Sequence, residues 1–98
     1  MIFIIATMKT TPANREALIE ATRLCIDETR KEPGCVSYDF YQSISDRQAF
    51  VFVERWINKN ELERHFASPH LAVWREASKS LIVEKNVEII TPEEIELL

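Results

Sequence analysis

Two histidines, His65 and His70, and a carboxylate set among aromatics, Glu54, are the side chains of this sequence best suited to proton transfer. His65 lies three positions after Leu62 and beside Phe66. A helix through this segment therefore turns its imidazole inward, where a group with a near-neutral pKa works as a general base. The same placement suits a buried histidine satisfied by a backbone carbonyl, and spacing alone leaves both readings open. His70 follows Pro69 at a helix start, where the dipole disfavours positive charge, so a structural or rim position is expected. The two histidines are five positions apart with a proline between them. They share no helix face and are not expected to hold a metal as a pair.

Glu54 alternates with Phe50, Phe52 and Trp56. A carboxylate in such company pairs with arginine or caps a network more often than it acts in catalysis. Tyr38, Tyr41 and Trp74 offer aromatic surface with hydrogen-bonding tips, which suits an aromatic ligand and equally suits a core. Arg75 reads as a surface charge. The serines sit in loops without a strand–turn–helix elbow, so no Ser–His–Asp arrangement is supported. Cys25 and Cys35 are ten positions apart and form neither a C-x-x-C pair nor a zinc framework. Cys25 is expected to pack on a helix face and Cys35 to start a strand.

Composition narrows the chemistry further. The single glycine, Gly34, cannot build a dinucleotide fingerprint or a P-loop, both of which need several glycines. Nicotinamide, Rossmann-bound flavin and nucleoside triphosphates are thereby disfavoured, and no cofactor is expected. A formal charge of −4, with lysines and arginines scattered, argues against nucleic acid as a partner. At 98 residues the chain makes one domain, with ordinary globular proportions of apolar (46%) and charged (29%) residues. No apolar run approaches the roughly 20 residues that span a bilayer. The apolar start, Met1 to Ala6, has no basic region before it and reads as a strand rather than a signal peptide. A cytoplasmic location, away from membranes, is expected.

These side chains must be positioned by a small set of elements. Residues 2–9 are apolar on both faces and predict a buried strand. Thr11 as cap and Pro12 at the first helical position predict a helix to about Lys31, with Leu18, Ala21, Leu24 and Cys25 inward. Glu32-Pro33-Gly34 stops it and turns the chain. Residues 36–42 and 49–57 read as strands joined by a hairpin connection, with Phe50, Phe52, Glu54 and Trp56 on one face. Asn58 and Glu61 form a capping-box signature for a second helix. Ser68-Pro69 breaks it and caps a third, to about Ser80, with Leu71, Trp74, Ala77 and Leu81 inward. A strand over 83–91 ends at Pro92, and the apolar tail end, Ile95, Leu97 and Leu98, is expected to dock. The order β-α-β-β-α-β is that of a ferredoxin-like α+β domain, an antiparallel sheet with helices on one face.

That architecture has one uncovered sheet face, which should be polar at alternate positions. Here Val51 and Val53 oppose Phe50 and Phe52, and Phe3 and Ile5 oppose Ile2 and Ile4. Leaving several such side chains wet costs about as much as the whole stability of a small domain. Pairing of the sheet with a second copy, giving a homodimer, is therefore expected from the pattern.

Three segments resemble the antibiotic biosynthesis monooxygenase (ABM) domain family, and in particular its small quinol monooxygenases. They are Glu32-Pro33-Gly34-Cys35-Val36-Ser37-Tyr38, Phe52-Val53-Glu54-Arg55-Trp56, and His65-Phe66-Ala67-Ser68-Pro69-His70-Leu71. The resemblance runs over essentially the whole chain and implies a dimeric α/β barrel-like assembly, with a pocket between sheet and helices in each subunit. It implies oxygenation of an electron-rich aromatic, quinol or anthrone by dioxygen without flavin, haem or metal. Triplet dioxygen reacts slowly with closed-shell organics, but a deprotonated hydroquinone or anthrone supplies the single electrons itself. Such a protein needs a base, an apolar cavity and hydrogen bonds to the developing anion. The resemblance carries over His65, expected to be the base, and Trp56; Tyr38, which rests partly on the strand-face assignment, and Phe66, Trp74 and Phe52 are expected to join Trp56 in binding substrate. Haem-degrading relatives carry an asparagine near the end of the first strand and a tryptophan at the place of His65. Ala6-Thr7-Met8 lacks that asparagine, so haem degradation is disfavoured. Other relatives with a histidine here are isomerases of small phosphorylated sugars or ketones. That activity, or a non-catalytic dimeric ligand-binding module, is the alternative.

Overall fold

The computed structural model describes residues 1–98 as β1 (Ile2–Lys9), α1 (Arg15–Thr29), β2 (Cys35–Gln42), β3 (Ala49–Trp56), α2 (Lys59–Phe66), α3 (Pro69–Ser78) and β4 (Glu84–Ile90). The strands form one sheet in the order β2-β3-β1-β4, every neighbouring pair antiparallel. With the helices on one face, this is the ferredoxin-like arrangement expected from the residue pattern. Alternation decides what is buried. Ile2, Ile4, Ala6 and Met8 of β1, Phe50, Phe52, Glu54 and Trp56 of β3, and Tyr38 of β2 all point beneath the helices. Phe3, Ile5, Val51 and Val53 lie on the uncovered face, half-buried by their own neighbours.

Helix α1 begins one turn later than the Thr11-Pro12 signal suggests. The backbone N–H of Asn14 donates to both the carbonyl (3.1 Å) and Oγ1 (3.3 Å) of Thr11. Those bonds close a turn around Pro12 instead of a first helical turn. The buried stripe of α1 is Leu18, Thr22, Cys25 and Thr29, while Leu24 is 70% exposed. Six residues beyond Leu18 is about 120° off that stripe at 3.6 residues per turn. Ala77 of α3 is likewise exposed, and Ser78 takes the inward place. Both downstream caps form: Asn58 Oδ1 accepts from Glu61 N at 2.9 Å, and Ser68 Oγ accepts from Leu71 N at 3.3 Å.

Gly34 does not end α1, which stops at Thr29, and its φ is not positive. Space explains it instead. A Cβ at position 34 would fall on Cβ and Cγ of Glu61, so the glycine lets α2 settle against the turn before β2. Just beyond, the β2–β3 register shifts between Cys35 and Ser37, a bulge that leaves Val36 exposed and aims Tyr38 beneath the helices opposite Glu54. β4 is exposed along its whole length, because no helix covers that edge. The apolar tail end does not dock on its own chain: Leu97 and Leu98 are fully exposed. No helix is long and apolar enough to cross a membrane.

Candidate active site

His65 occupies the last turn of α2, on the inward side that begins with Leu62. It is only 2% exposed and lies between Trp56, whose ring centroid is 4.6 Å away, and Tyr38, at 5.4 Å. Its carbonyl accepts a 2.7 Å hydrogen bond from Ser68 Oγ, which ties the end of α2 to the cap of α3. The ring itself is not satisfied by a backbone carbonyl. Nδ1 lies 2.8 Å from Oε2 of Glu32, in the turn between α1 and β2. Such a carboxylate fixes the tautomer with the proton on Nδ1 and leaves Nε2 as an acceptor. Burial lowers the pKa of His65, opposed by the Glu32 hydrogen bond and charge, so the imidazole is neutral at physiological pH.

His70 places Nε2 at 2.8 Å from the same Glu32 oxygen. The two histidines stand on different helices, as their spacing requires. The Ser68-Pro69 break nevertheless folds the start of α3 back so that both rings converge on one carboxylate. Glu32 was not singled out in the sequence, where its neighbours Pro33 and Gly34 mark only a turn. The usable signal was the place of that turn: it delivers a carboxylate beside the junction of the two later helices.

A small cavity of about 70 Å³ lies between the sheet and these helices, lined by His65, Tyr38, Phe52, Phe66, Trp74 and Glu54, with Arg75, Lys85 and several aliphatic side chains completing it. Glu32 is not part of the lining, so of this pair it is the His65 ring, bonded to the carboxylate through Nδ1, that borders the cavity. Tyr38, Phe66, Trp74 and Phe52 thus meet at one place with His65. Trp56 does not line the cavity, contrary to its expected role as a wall. It is fully buried beneath His65, and its indole Nε1–H donates to Glu54 Oε1 at 3.0 Å. Tyr41 is half exposed and borders a different, open cleft of about 440 Å³ at the end of the sheet, far from the histidines.

Glu54 has no arginine partner. Its single hydrogen bond in the chain is the one from Trp56. Burial therefore dominates and lifts its pKa to about 7, with the Trp56 bond pulling down and the Glu32 charge pushing up. Burial thus favours the protonated carboxyl of Glu54 and the neutral imidazole of His65 in the same cavity. Tyr38 is pushed far up by burial and stays a phenol; its hydroxyl lies 3.7 Å from Cys25 Sγ. Cys35 rises to about 11, mainly by burial, and is no thiolate nucleophile. Arg75, expected as a surface charge, reaches the cavity. Its Nη1 donates to the Phe66 carbonyl at 3.1 Å and its guanidinium lies over the Phe66 ring. Lys85 lies 5.7 Å from the Trp74 ring centroid. Neither cation has an acidic partner within ion-pair distance in the chain.

Comparison with known proteins agrees with this fold. The chain is 32% identical over 83 residues to an uncharacterized protein of Synechocystis, sll1783; the match covers 85% of this chain but only 56% of that protein. It is 28% identical to the probable quinol monooxygenase YgiN of Escherichia coli, over 94% of this chain and 98% of YgiN. The structure of Rv0793 from Mycobacterium tuberculosis superposes with a TM-score of 0.89 at 30% identity, covering 96% of each chain. The sequence pattern that defines the family described as antibiotic biosynthesis monooxygenase matches residues 1–77, which contain Glu32, Glu54, His65, His70 and Trp74. The chain therefore belongs to the antibiotic biosynthesis monooxygenase family.

Proposed function

We propose that this protein is a cofactor-independent monooxygenase that uses dioxygen to oxidise an electron-rich aromatic of the quinol or anthrone type. The observation that carries the reading is the pairing, in one mostly apolar cavity, of a carboxylate-oriented imidazole with a carboxyl that ionises only near pH 7. In the proposed reaction His65 Nε2 takes a proton from the reacting CH2 or hydroxyl, and the imidazolium so formed is stabilised by Glu32. The resulting anion passes one electron to dioxygen, and the radical pair combines to form a C–O bond. The neutral Glu54 carboxyl protonates the peroxide anion. Loss of the C–H proton left on that carbon then breaks the O–O bond, so an anthrone's CH2 and O2 become C=O and H2O, while a quinol's O–H and ring C–H with O2 become two C=O groups and H2O. Phe52, Phe66 and Trp74 exclude water from the radical pair. The hollow as it stands suits dioxygen or a few waters, so a ring enters only when part of the wall yields.

The test is oxygen uptake by chelator-treated protein with a panel of hydroquinones and anthrones. His65→Ala is expected to lower kcat/KM by about 10²- to 10⁴-fold, the usual contribution of a general base. The rate should also fall as pH rises through about 7, where Glu54 ionises, and Glu54→Gln should remove that limb of the profile. Wild-type uptake no greater than that of buffer across the panel overturns the reading.

The unpartnered cations Arg75 and Lys85 favour a second reading, a proton-transferring isomerase of a phosphorylated ketone or sugar using the same histidine. Deuterium incorporation from solvent into such a ketone, without oxygen uptake, would select it. We propose further that the working unit is a cytoplasmic homodimer. The support is the apolar set Phe3, Ile5, Val51 and Val53 on the uncovered sheet face.

A further inference from the structure

The convergence of Glu32, His65 and His70 has a meaning apart from proton transfer. The carboxylate oxygen and the two ring nitrogens come from three separate segments and lie within 4.8 Å of one another. Two imidazoles and a carboxylate suit zinc and its neighbours in the first transition series. Both nitrogens already aim at one point, because each is 2.8 Å from the same Glu32 oxygen. An ion with tetrahedral bonds of about 2.0–2.1 Å holds its two nitrogens about 3.4 Å apart, so binding requires the Glu32 carboxylate to retreat and the two ring nitrogens to close from a separation of up to 4.8 Å. Glu32 is on a turn with its side chain 15% exposed, and the His70 side chain is 20% exposed, so the carboxylate has room to move and the ion has a route from solvent. Water can complete the coordination on that outer side.

We propose that Glu32, His65 and His70 form a binding site for one zinc-class divalent cation, and that its occupancy silences His65. The silencing half rests on the function proposed above; the binding half does not. An ion on His65 Nδ1 occupies the lone pair there, so the neutral ring must carry its proton on Nε2. Nε2 is the one ring nitrogen that Glu32 leaves free to take a proton, and an N–H there accepts none from a substrate. The cation also takes Glu32 away from its role of stabilising the imidazolium. Because two of the three ligands, Glu32 and His70, lie outside the cavity lining, the ion would act as an off-switch rather than a centre at which oxygen reacts.

The experiment titrates Zn²⁺ alone into chelator-stripped protein by calorimetry, with Co²⁺ absorption and ¹⁵N chemical shifts of the histidine rings as further readouts. The expected result is one ion per chain. The His65 shifts should move from the Nδ1–H to the Nε2–H pattern, and affinity should fall at least about tenfold in His70→Gln and in Glu32→Gln. His70 is the safer variant for folding, since its ring is partly exposed, and circular dichroism checks both. Absence of stoichiometric binding, or binding undiminished in the folded His70→Gln protein, overturns the site. Zinc that binds at one equivalent while leaving oxygen uptake unchanged overturns the switch. A protein that binds zinc as expected yet oxidises none of the panel keeps the site and instead refutes the proposed monooxygenase.

Discussion

Replacing Glu54 with glutamine should change how stability depends on pH, by an amount set by the burial of this carboxyl. In the unfolded chain the group ionises at its ordinary 4.5; in the fold, burial among aromatics raises it to about 7. The folded state therefore holds the proton more tightly, and unfolding becomes easier as pH rises between those values. At about 1.4 kcal/mol per pH unit, the two and a half units amount to about 3 kcal/mol, present above pH 7 and absent below 4.5. His65 acts in the opposite direction. Its depressed folded pKa gives stability that is full above its unfolded pKa, near 6.5, and is lost as pH falls below that value. The two trends partly cancel in the wild type, so the informative quantity is the difference between wild type and Glu54→Gln. Glutamine keeps an acceptor for the Trp56 N–H but cannot ionise. Urea unfolding at one fixed protein concentration, followed from pH 4 to pH 8, should show the variant gaining about 3 kcal/mol on the wild type, mostly between pH 5 and 7. A difference that stays flat over this range would mean that Glu54 is charged in the fold and would refute the burial argument.

Gly34→Ala should destabilise by at least about 1–3 kcal/mol, the usual scale of overpacking, because the new methyl meets the Cβ of Glu61, which cannot move without α2. Adding Glu61→Gly should recover most of that loss in urea midpoint. Thr22→Val should cost about 1–3 kcal/mol by leaving the buried Trp74 Nε1–H, now 3.0 Å from Thr22 Oγ1, without an acceptor. It should also shift Trp fluorescence. Sedimentation at micromolar concentration should give twice the chain mass for wild type, and the single chain mass for the double variant Ile5→Lys, Val53→Glu. A wild type that sediments as one chain would refute the sheet-pairing argument.

The strands and the inward faces of α2 and β3 were readable because alternation and helical spacing act locally. Phe50, Phe52, Glu54 and Trp56 share a face in any extended strand, and Asn58 and Ser68 cap whatever helix follows them. Where competition was local, the pattern misled. Thr11 and Pro12 serve a turn as well as a helix start, and only the backbone geometry chose the turn. Leu24 looked buried because leucine usually is, but Thr22 and Thr29 hold the inward positions, where Thr22 accepts the Trp74 N–H and Thr29 lies 3.7 Å from Cys25 Sγ. The candidate site was half legible. His65 and its aromatic neighbours followed from spacing and resemblance. Glu32 did not, because its contacts to His65 and His70 lie 33 and 38 residues away, a separation that no local period encodes. Trp56 lies next to His65 but outside the lining of the small cavity, a distinction that motif identity does not carry.

The edge strand β4 bonds to a single neighbour, β1, and has no helix above it, yet its Lys85 and Val87 help to enclose the hollow next to His65. That side is the lightest part of the enclosure: moving it forfeits one ladder of hydrogen bonds and the covered part of Val87, Ile89 and Ile90, with no buried residue among them. Admission of a flat molecule through this flank leaves the anchoring of His65 by Glu32 untouched, because that anchor sits on the opposite side of the imidazole. The protein can thus loosen its perimeter while the alignment of its proton-handling groups stays fixed.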